Sequence, residues 1–133
     1  MYLRFVSSHW DDQARAESGL FCAFSVAREA RDDGRLTGWQ IDELGRMYHW
    51  FCLHLDKPGS FVRRCGKGER AGVCWFRPEA AEHVSNARYM AWLLCDIGFP
   101  VEELRARRPG TILWSDNHQV VAIPYRNGPR AFH

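Results

Sequence analysis

The sequence predicts an α+β fold in which three helices cover one face of a mixed or antiparallel sheet. Three observations carry that expectation. The elements read in the order β-α-α-β-α-β-β-β, without the strict strand-helix alternation of a parallel sheet. Three stretches repeat apolar residues at three- and four-residue spacing. The last third holds short β-rich runs separated by turn residues. With 133 residues the chain suits one core and is short for two, so a single domain over 1–133 is expected.

Residues 2–7 (Tyr-Leu-Arg-Phe-Val-Ser) alternate in character and read as the opening strand, with 8–17 as its polar exit. Ser18 is placed to cap a helix carrying Leu20, Phe21, Phe24, Ala27 and Ala30, which ends at Asp32-Asp33-Gly34. Thr37 and Gln40 stand at capping-box spacing before a second helix with Ile41, Leu44, Tyr48, Phe51 and Leu55, stopped by Pro58-Gly59. The short link between them predicts an antiparallel hairpin.

Residues 57–72 hold four glycines and five basic side chains against one acid, and read as a mobile basic loop. Val73-Cys74-Trp75-Phe76 is apolar enough for an interior strand. Pro78 stands at a favoured first helical position, with Glu79 and Glu82 in the first turn. The stripe Ala80, Val84, Ala87, Ala91, Leu94 then continues that helix to about Asp96, with Gly98 as its cap. Val101–Arg105 reads as a strand, Arg108-Pro109-Gly110 as a turn, and Thr111–Ser115 and His118–Ile123 as a hairpin about Asp116-Asn117. The tail over 125–133 is polar and expected to be loose.

Three stretches together resemble a group of small uncharacterised bacterial proteins. They are Met1-Tyr2-Leu3-Arg4-Phe5-Val6, the segment Cys74-Trp75-Phe76-Arg77-Pro78-Glu79-Ala80-Ala81-Glu82-His83, and Arg108-Pro109-Gly110-Thr111-Ile112 running into Asp116-Asn117-His118-Gln119-Val120-Val121-Ala122-Ile123-Pro124. The resemblance spans nearly the whole chain. It implies a single bacterial domain and carries no catalytic residue across. In similar proteins an acid tends to follow Asp116, whereas here Asn117 and His118 occupy the turn.

Composition limits the function classes. Apolar residues at 46% and charged residues at 26% exclude a disordered or fibrous chain. The apolar runs are too short to cross a bilayer. Asp11 and Asp12 fall where a secretion signal would stay apolar, so the expectation is a cytoplasmic protein without a membrane. Five cysteines, an odd number, read as buried thiols in a reducing compartment. The first 56 residues carry 6 basic and 9 acidic side chains and the rest 12 and 7, so any anionic partner would meet the second half.

Candidate chemistry follows from these residues. A zinc site would draw on His49, Cys52, His54, Cys65 and Cys74, but without a paired-ligand knuckle the spacing favours Cys52 in the helix core, and neither metal nor cofactor is expected. A catalytic thiol at Cys65 or Cys74 would need a base or a helix N-terminus that neither has beside it in the sequence, so Cys74 reads as a packed thiol. His83, Asp116, His118 and Arg4, with Arg77, Glu82 and Gln119, would form a polar cleft for a hydrolase or transferase if the sheet ends converge. The competing expectation is an ion-pair network of Arg4, Arg77 and Glu82 beside ordinary turn chemistry. RNA or DNA would be held by the 57–72 loop, Arg105, Arg107 and Arg108, with Trp75 or Trp114 for stacking. The leading expectation is a non-enzymatic adaptor or inhibitor. It would dock on a larger protein or nucleoprotein through Trp10, Trp39, Arg63, Arg64, Arg77, Arg107 and Arg108, with Trp50 nearby.

Overall fold

The computed structural model describes residues 1–34, 38–58, 62–65 and 68–132, with 62–65, 68 and 69 described by backbone alone. Its elements are β1 (Tyr2–Asp11), β2 (Ala16–Gly19), α1 (Leu20–Asp32), α2 (Trp39–His54), β3 (Val62–Cys65), β4 (Gly68–Ala71), β5 (Val73–Phe76), α3 (Ala81–Asp96), β6 (Val101–Ala106), β7 (Thr111–Ser115) and β8 (Gln119–Ile123). The fold is α+β, and all the strand pairings are antiparallel. The main sheet runs β2-β1-β5-β8-β7, with β6 alongside β1, while β3 and β4 form a separate hairpin. The expected order of elements holds, with β2, β3 and β4 added to it.

The three helices share one apolar layer against the sheet. Its members include Leu20, Phe24 and Ala27 of α1, Ile41, Leu44 and Phe51 of α2, and Val84, Met90 and Leu94 of α3. Burying a side chain such as Leu44 contributes roughly 1.5–3 kcal/mol. Helix direction is fixed by aromatic pairs. Phe21 meets Phe51 at 5.3 Å between ring centroids and Phe24 stacks on Tyr48 at 4.6 Å, so α1 and α2 are antiparallel as expected. Gln40 bonds Asp96 and Tyr89 bonds Glu43, which sets α3 antiparallel to α2 as well.

The opposite face of the sheet carries a smaller apolar cluster, with Val6, Trp75, Leu104 and Val120 at its centre. Among the described residues the tail, rather than a helix, packs on it. The Glu17 carboxylate, 1% exposed, accepts hydrogen bonds from the main-chain N–H of Ala131 (2.7 Å) and Phe132 (2.6 Å), and Phe132 packs on the cluster. The end of the tail is therefore pinned, where its composition suggests a loose segment.

Several local expectations are corrected. Gly19, not Ser18, is the N-cap of α1, because β2 occupies Ala16–Gly19 and runs directly into the helix. Gly38 caps α2, and Thr37 lies outside the described residues. The helix expected from Pro78 begins at Ala81, since Ala80 N–H bonds back to Arg77 O in a turn. The 57–72 stretch contains the β3–β4 hairpin, while 59–61 and 66–67 lie outside the described residues. Of the four cysteines with described side chains, Cys22 is half-buried and Cys52, Cys74 and Cys95 are exposed, so the expected buried thiols are not found. Cys22 and Cys52 stand one position off their helices' buried stripes, which spacing alone does not separate from the core.

The feature that shapes the site is a fork in the sheet. β1 and β5 share a single register point, Leu3 opposite Phe76. Beyond it β1 pairs with β2, with Val6 opposite Gly19, and β5 stays with β8. Asp11 Oδ1 accepts from Gln13 N–H (3.0 Å) and Ala14 N–H (3.2 Å), a turn that folds β2 back along β1. Two glycines are required nearby. A Cβ at Gly72 would strike Val121, and at Gly110, with φ at +139°, it would strike the Ile123 carbonyl.

Candidate ligand-binding site

On the helix side the fork opens into a cleft of about 770 Å³. That is the size range of small-molecule sites, roughly 300–1,000 Å³. Its apolar walls are Leu20 and Phe21 of α1, Tyr48 and Phe51 of α2, Phe5 of β1 and Phe76 of β5. Polar groups stand at its edges, among them Asp11, Asp56, Lys57 and Gln119. Three thiols, Cys22, Cys52 and Cys74, face it from three different elements.

Arg4 lies where the strands part and is 6% exposed. It lines the cleft and also a small cavity of about 20 Å³ on the tail side. Its Nη2 donates to the Glu17 main-chain carbonyl. Burial pushes the guanidinium down to about 10, opposed by Cys74, Glu17 and Asp11, so it stays charged at neutral pH. Trp75 borders both spaces and is 3% exposed; its ring belongs to the tail-side cluster, and among the described residues its buried indole Nε1–H has no hydrogen-bond partner, which costs about 1–3 kcal/mol.

Cys74 is the exposed member of β5, whose other three residues are buried. Strand alternation places it on the same side as Phe76, under the gap between α1 and α2. Burial pushes its thiol up, Arg4 pulls it down, and Asp116 adds to the upward push. It is a protonated thiol in an apolar wall, not the packed thiol the sequence suggests.

The expected polar cluster converges in part. His83 and His118 stack with ring centroids 4.2 Å apart, and Trp50 stands edge-on to His83 at 4.9 Å. Their hydrogen bonds serve the architecture, however. His83, 6% exposed, donates from Nε2 to His54 O at 2.6 Å. Asp116 Oδ1 accepts from the N–H groups of His118 (2.8 Å) and Gln119 (2.9 Å), which locks the β7–β8 turn and does not orient a ring. Gln119 Nε2 donates to Asp56 O at 2.6 Å, and Arg77 Nε donates to Asp116 O at 2.7 Å. The cluster is a latch that ties the end of α2 and residues 54–56 to the β7–β8 hairpin, forming one end of the cleft. Burial pushes the Asp116 carboxyl up, but the hydrogen bonds from His118 and Gln119 outweigh it and hold the group below its usual range.

The remaining candidates scatter. Arg4 stands at the fork, apart from the bonds of the latch, and among the described residues no ion pair joins Arg4, Arg77 and Glu82. Arg107 and Arg108 are exposed between β6 and β7, and Arg105 pairs with Glu103 at 2.8 Å. Arg63 and Arg64 lie on β3, with side chains outside the described residues, as is that of Cys65. Trp10 is covered in part by the Arg130 guanidinium, 5.0 Å from its ring centroid. Trp39 is 57% and Trp92 56% exposed. No metal-holding group of His, Cys, Asp and Glu occurs among the described residues. Nor is any helix among them long and apolar enough to cross a membrane.

Sequence reasoning missed the cleft and the roles of Glu17 and Trp75. A strand spelled Ala-Glu-Ser-Gly carries no β-branched or aromatic residue to reveal it. No protein-family model, curated protein or solved structure matches the chain.

Proposed function

We propose that this protein binds a small amphipathic ligand with an apolar body and one anionic group, held in the cleft at the fork of the sheet. The observation that supports this reading is a buried guanidinium, that of Arg4, among the residues lining a largely apolar cleft of about 770 Å³. A carboxylate, sulfonate or phosphate would pair with that guanidinium, and charge-assisted hydrogen bonds of this kind are roughly twice as strong as neutral ones. The test uses anilinonaphthalene sulfonate and its neutral relative, phenylnaphthylamine. The sulfonate is expected to bind at one site about tenfold more tightly, the equivalent of 1.4 kcal/mol. Arg4→Gln is expected to erase the difference while the protein still unfolds cooperatively. Equal affinity of the folded wild type for the two probes would overturn the reading.

A second reading, docking on another protein, is favoured by a different surface. Trp92 stacks on Tyr89 at 6.2 Å, and Gln40, next to Trp39, bonds Asp96, one turn from Trp92. Exposed aromatic residues rimmed by charge suit an interface. A photo-crosslinker at position 39 or 92 is expected to capture a defined partner that one at Ile112 does not; equal labelling from all three positions would end this reading.

A further inference from the structure

We infer that the apolar body of the cleft's ligand is an aromatic ring system and not a saturated chain or ring, so that the site takes aryl acids. The inference rests on the reading of the cleft as a site for an amphipathic acid and names the part of that acid which the reading leaves open.

The walls are the first argument. Five phenyl and phenol rings from four elements line the cleft: Phe5 of β1, Phe76 of β5, Phe51 and Tyr48 of α2, and Phe21 of α1. Each touches the next. Between ring centroids, Phe5 meets Phe76 at 6.2 Å, Phe76 meets Phe51 at 6.1 Å, Phe51 meets Phe21 at 5.3 Å, and Phe21 meets Tyr48 at 6.0 Å. The rings thus form an unbroken arc that starts on one bank of the fork, crosses to the other and ends in the contact between α1 and α2. A ligand whose acid group reaches Arg4 from this cleft has the arc for a wall.

Ring orientation is the second argument. Three of the four contacts are edge-to-face, with interplanar angles of 65°, 73° and 69°, and the Phe51–Phe76 pair is tilted at 39°. An aromatic ring is negative on its faces and positive at its edge, so a row of this kind presents both along one wall. A planar aromatic guest continues that pattern, with its own edge toward a face or its face toward an edge. A saturated guest of the same outline has no such quadrupole and gains only dispersion and burial. Phe5, Phe51 and Phe76 belong to the buried core, but Phe21 and Tyr48 are only partly buried, so the α1–α2 end of the arc keeps ring surface open.

Naphthalene carboxylate and its fully hydrogenated counterpart, decalin carboxylate, test this by calorimetric titration of the intact chain. The two share a carbon skeleton and a charge. Area alone makes the saturated acid bind at least as tightly, because it carries more C–H surface to bury. Naphthalene carboxylate is nevertheless expected to bind about fivefold more tightly, the scale of what aromatic pairing adds beyond area. Phe21→Leu keeps the wall apolar and removes one ring, and should reduce the preference to about twofold or less. Should that variant fail to fold, Tyr48→Leu makes the same comparison at the next ring. Decalin carboxylate binding as tightly as naphthalene carboxylate, or a preference that persists unchanged in the folded variant, defeats the inference.

Naphthalene carboxamide, the neutral control, separates this inference from the reading beneath it. If the two acids bind alike and both bind more tightly than the amide, the aryl preference falls and the anion site stands. If the acid and the amide of naphthalene bind alike and decalin carboxylate binds less well, the anion site falls and the aryl preference stands. Binding by none of the three ends both.

Discussion

The two faces of the sheet are finished in opposite ways. On the tail side, a polypeptide segment is drawn down by a buried carboxylate, and the space left is about 20 Å³, room for one water. On the helix side three helices supply the larger core, yet a cleft of about 770 Å³ stays open where β1 and β5 part. The helices are rigid cylinders spaced by their own side chains and do not follow a fork, whereas an extended tail follows the surface. Packing strength and site formation are thus separated, and the face with more apolar packing holds the opening.

Breaking the sealed face is expected to have the largest effect. Glu17→Ala removes the buried acceptor of the main-chain N–H groups of Ala131 and Phe132, and the expected loss is about 1.5–3 kcal/mol in urea unfolding. A loss under about 0.5 kcal/mol would show that the tail is not part of the cooperative unit.

Next comes a change at the boundary between the faces. Trp75→Phe creates a small void but also removes an unsatisfied donor, so the two terms offset and the net cost is expected to stay under about 1 kcal/mol. The same variant should leave sulfonate binding nearly unchanged, because the indole packs in the tail-side cluster. A severalfold loss of binding would show that the indole reaches the cleft.

The latch at the end of the cleft predicts a pH dependence. Because the Asp116 carboxyl is held below its usual range in the folded state, its stabilising contribution is present above the unfolded value near pH 4 and is lost as pH falls through the lower folded value. Asp116→Asn should flatten the acid side of the stability profile and leave the neutral side nearly unchanged. An identical acid limb in the variant would sink this assignment.

The smallest effect belongs to the surface. Arg88 and Glu103 pair at 2.7 Å between α3 and β6, with Arg88 well exposed. Arg88→Ala should cost about 0.5 kcal/mol or less, diminished further by salt. A larger cost would show that the pair helps hold α3 over the sheet.

How legible each part was follows from the range of the forces that fix it. The helices and the C-terminal hairpin could be read because their signals lie within a few residues. Leu20, Phe24, Ala27 and Ala30 form the α1 stripe as spaced, and Asp116-Asn117 closes the turn between β7 and β8. The meeting of His83 with His118 was also foreseeable, since both fall where elements begin or end at the same side of the sheet. Their role was not, because spacing does not say which carbonyl a ring nitrogen will find.

What the chain's own pattern determined is the α+β class, the three helices and the faces they bury, since apolar periodicity acts locally and water enforces it everywhere. Only tertiary structure decided that β1 would leave β5 after one shared register point, that a Glu in a weak strand would seal one face, and that Cys74 would stand exposed in a strand whose other residues are buried. Those outcomes depend on where segments distant in sequence run out of partners. Charge and hydrogen-bonding capacity are properties of residues, but burial and opposition are properties of the assembled sheet.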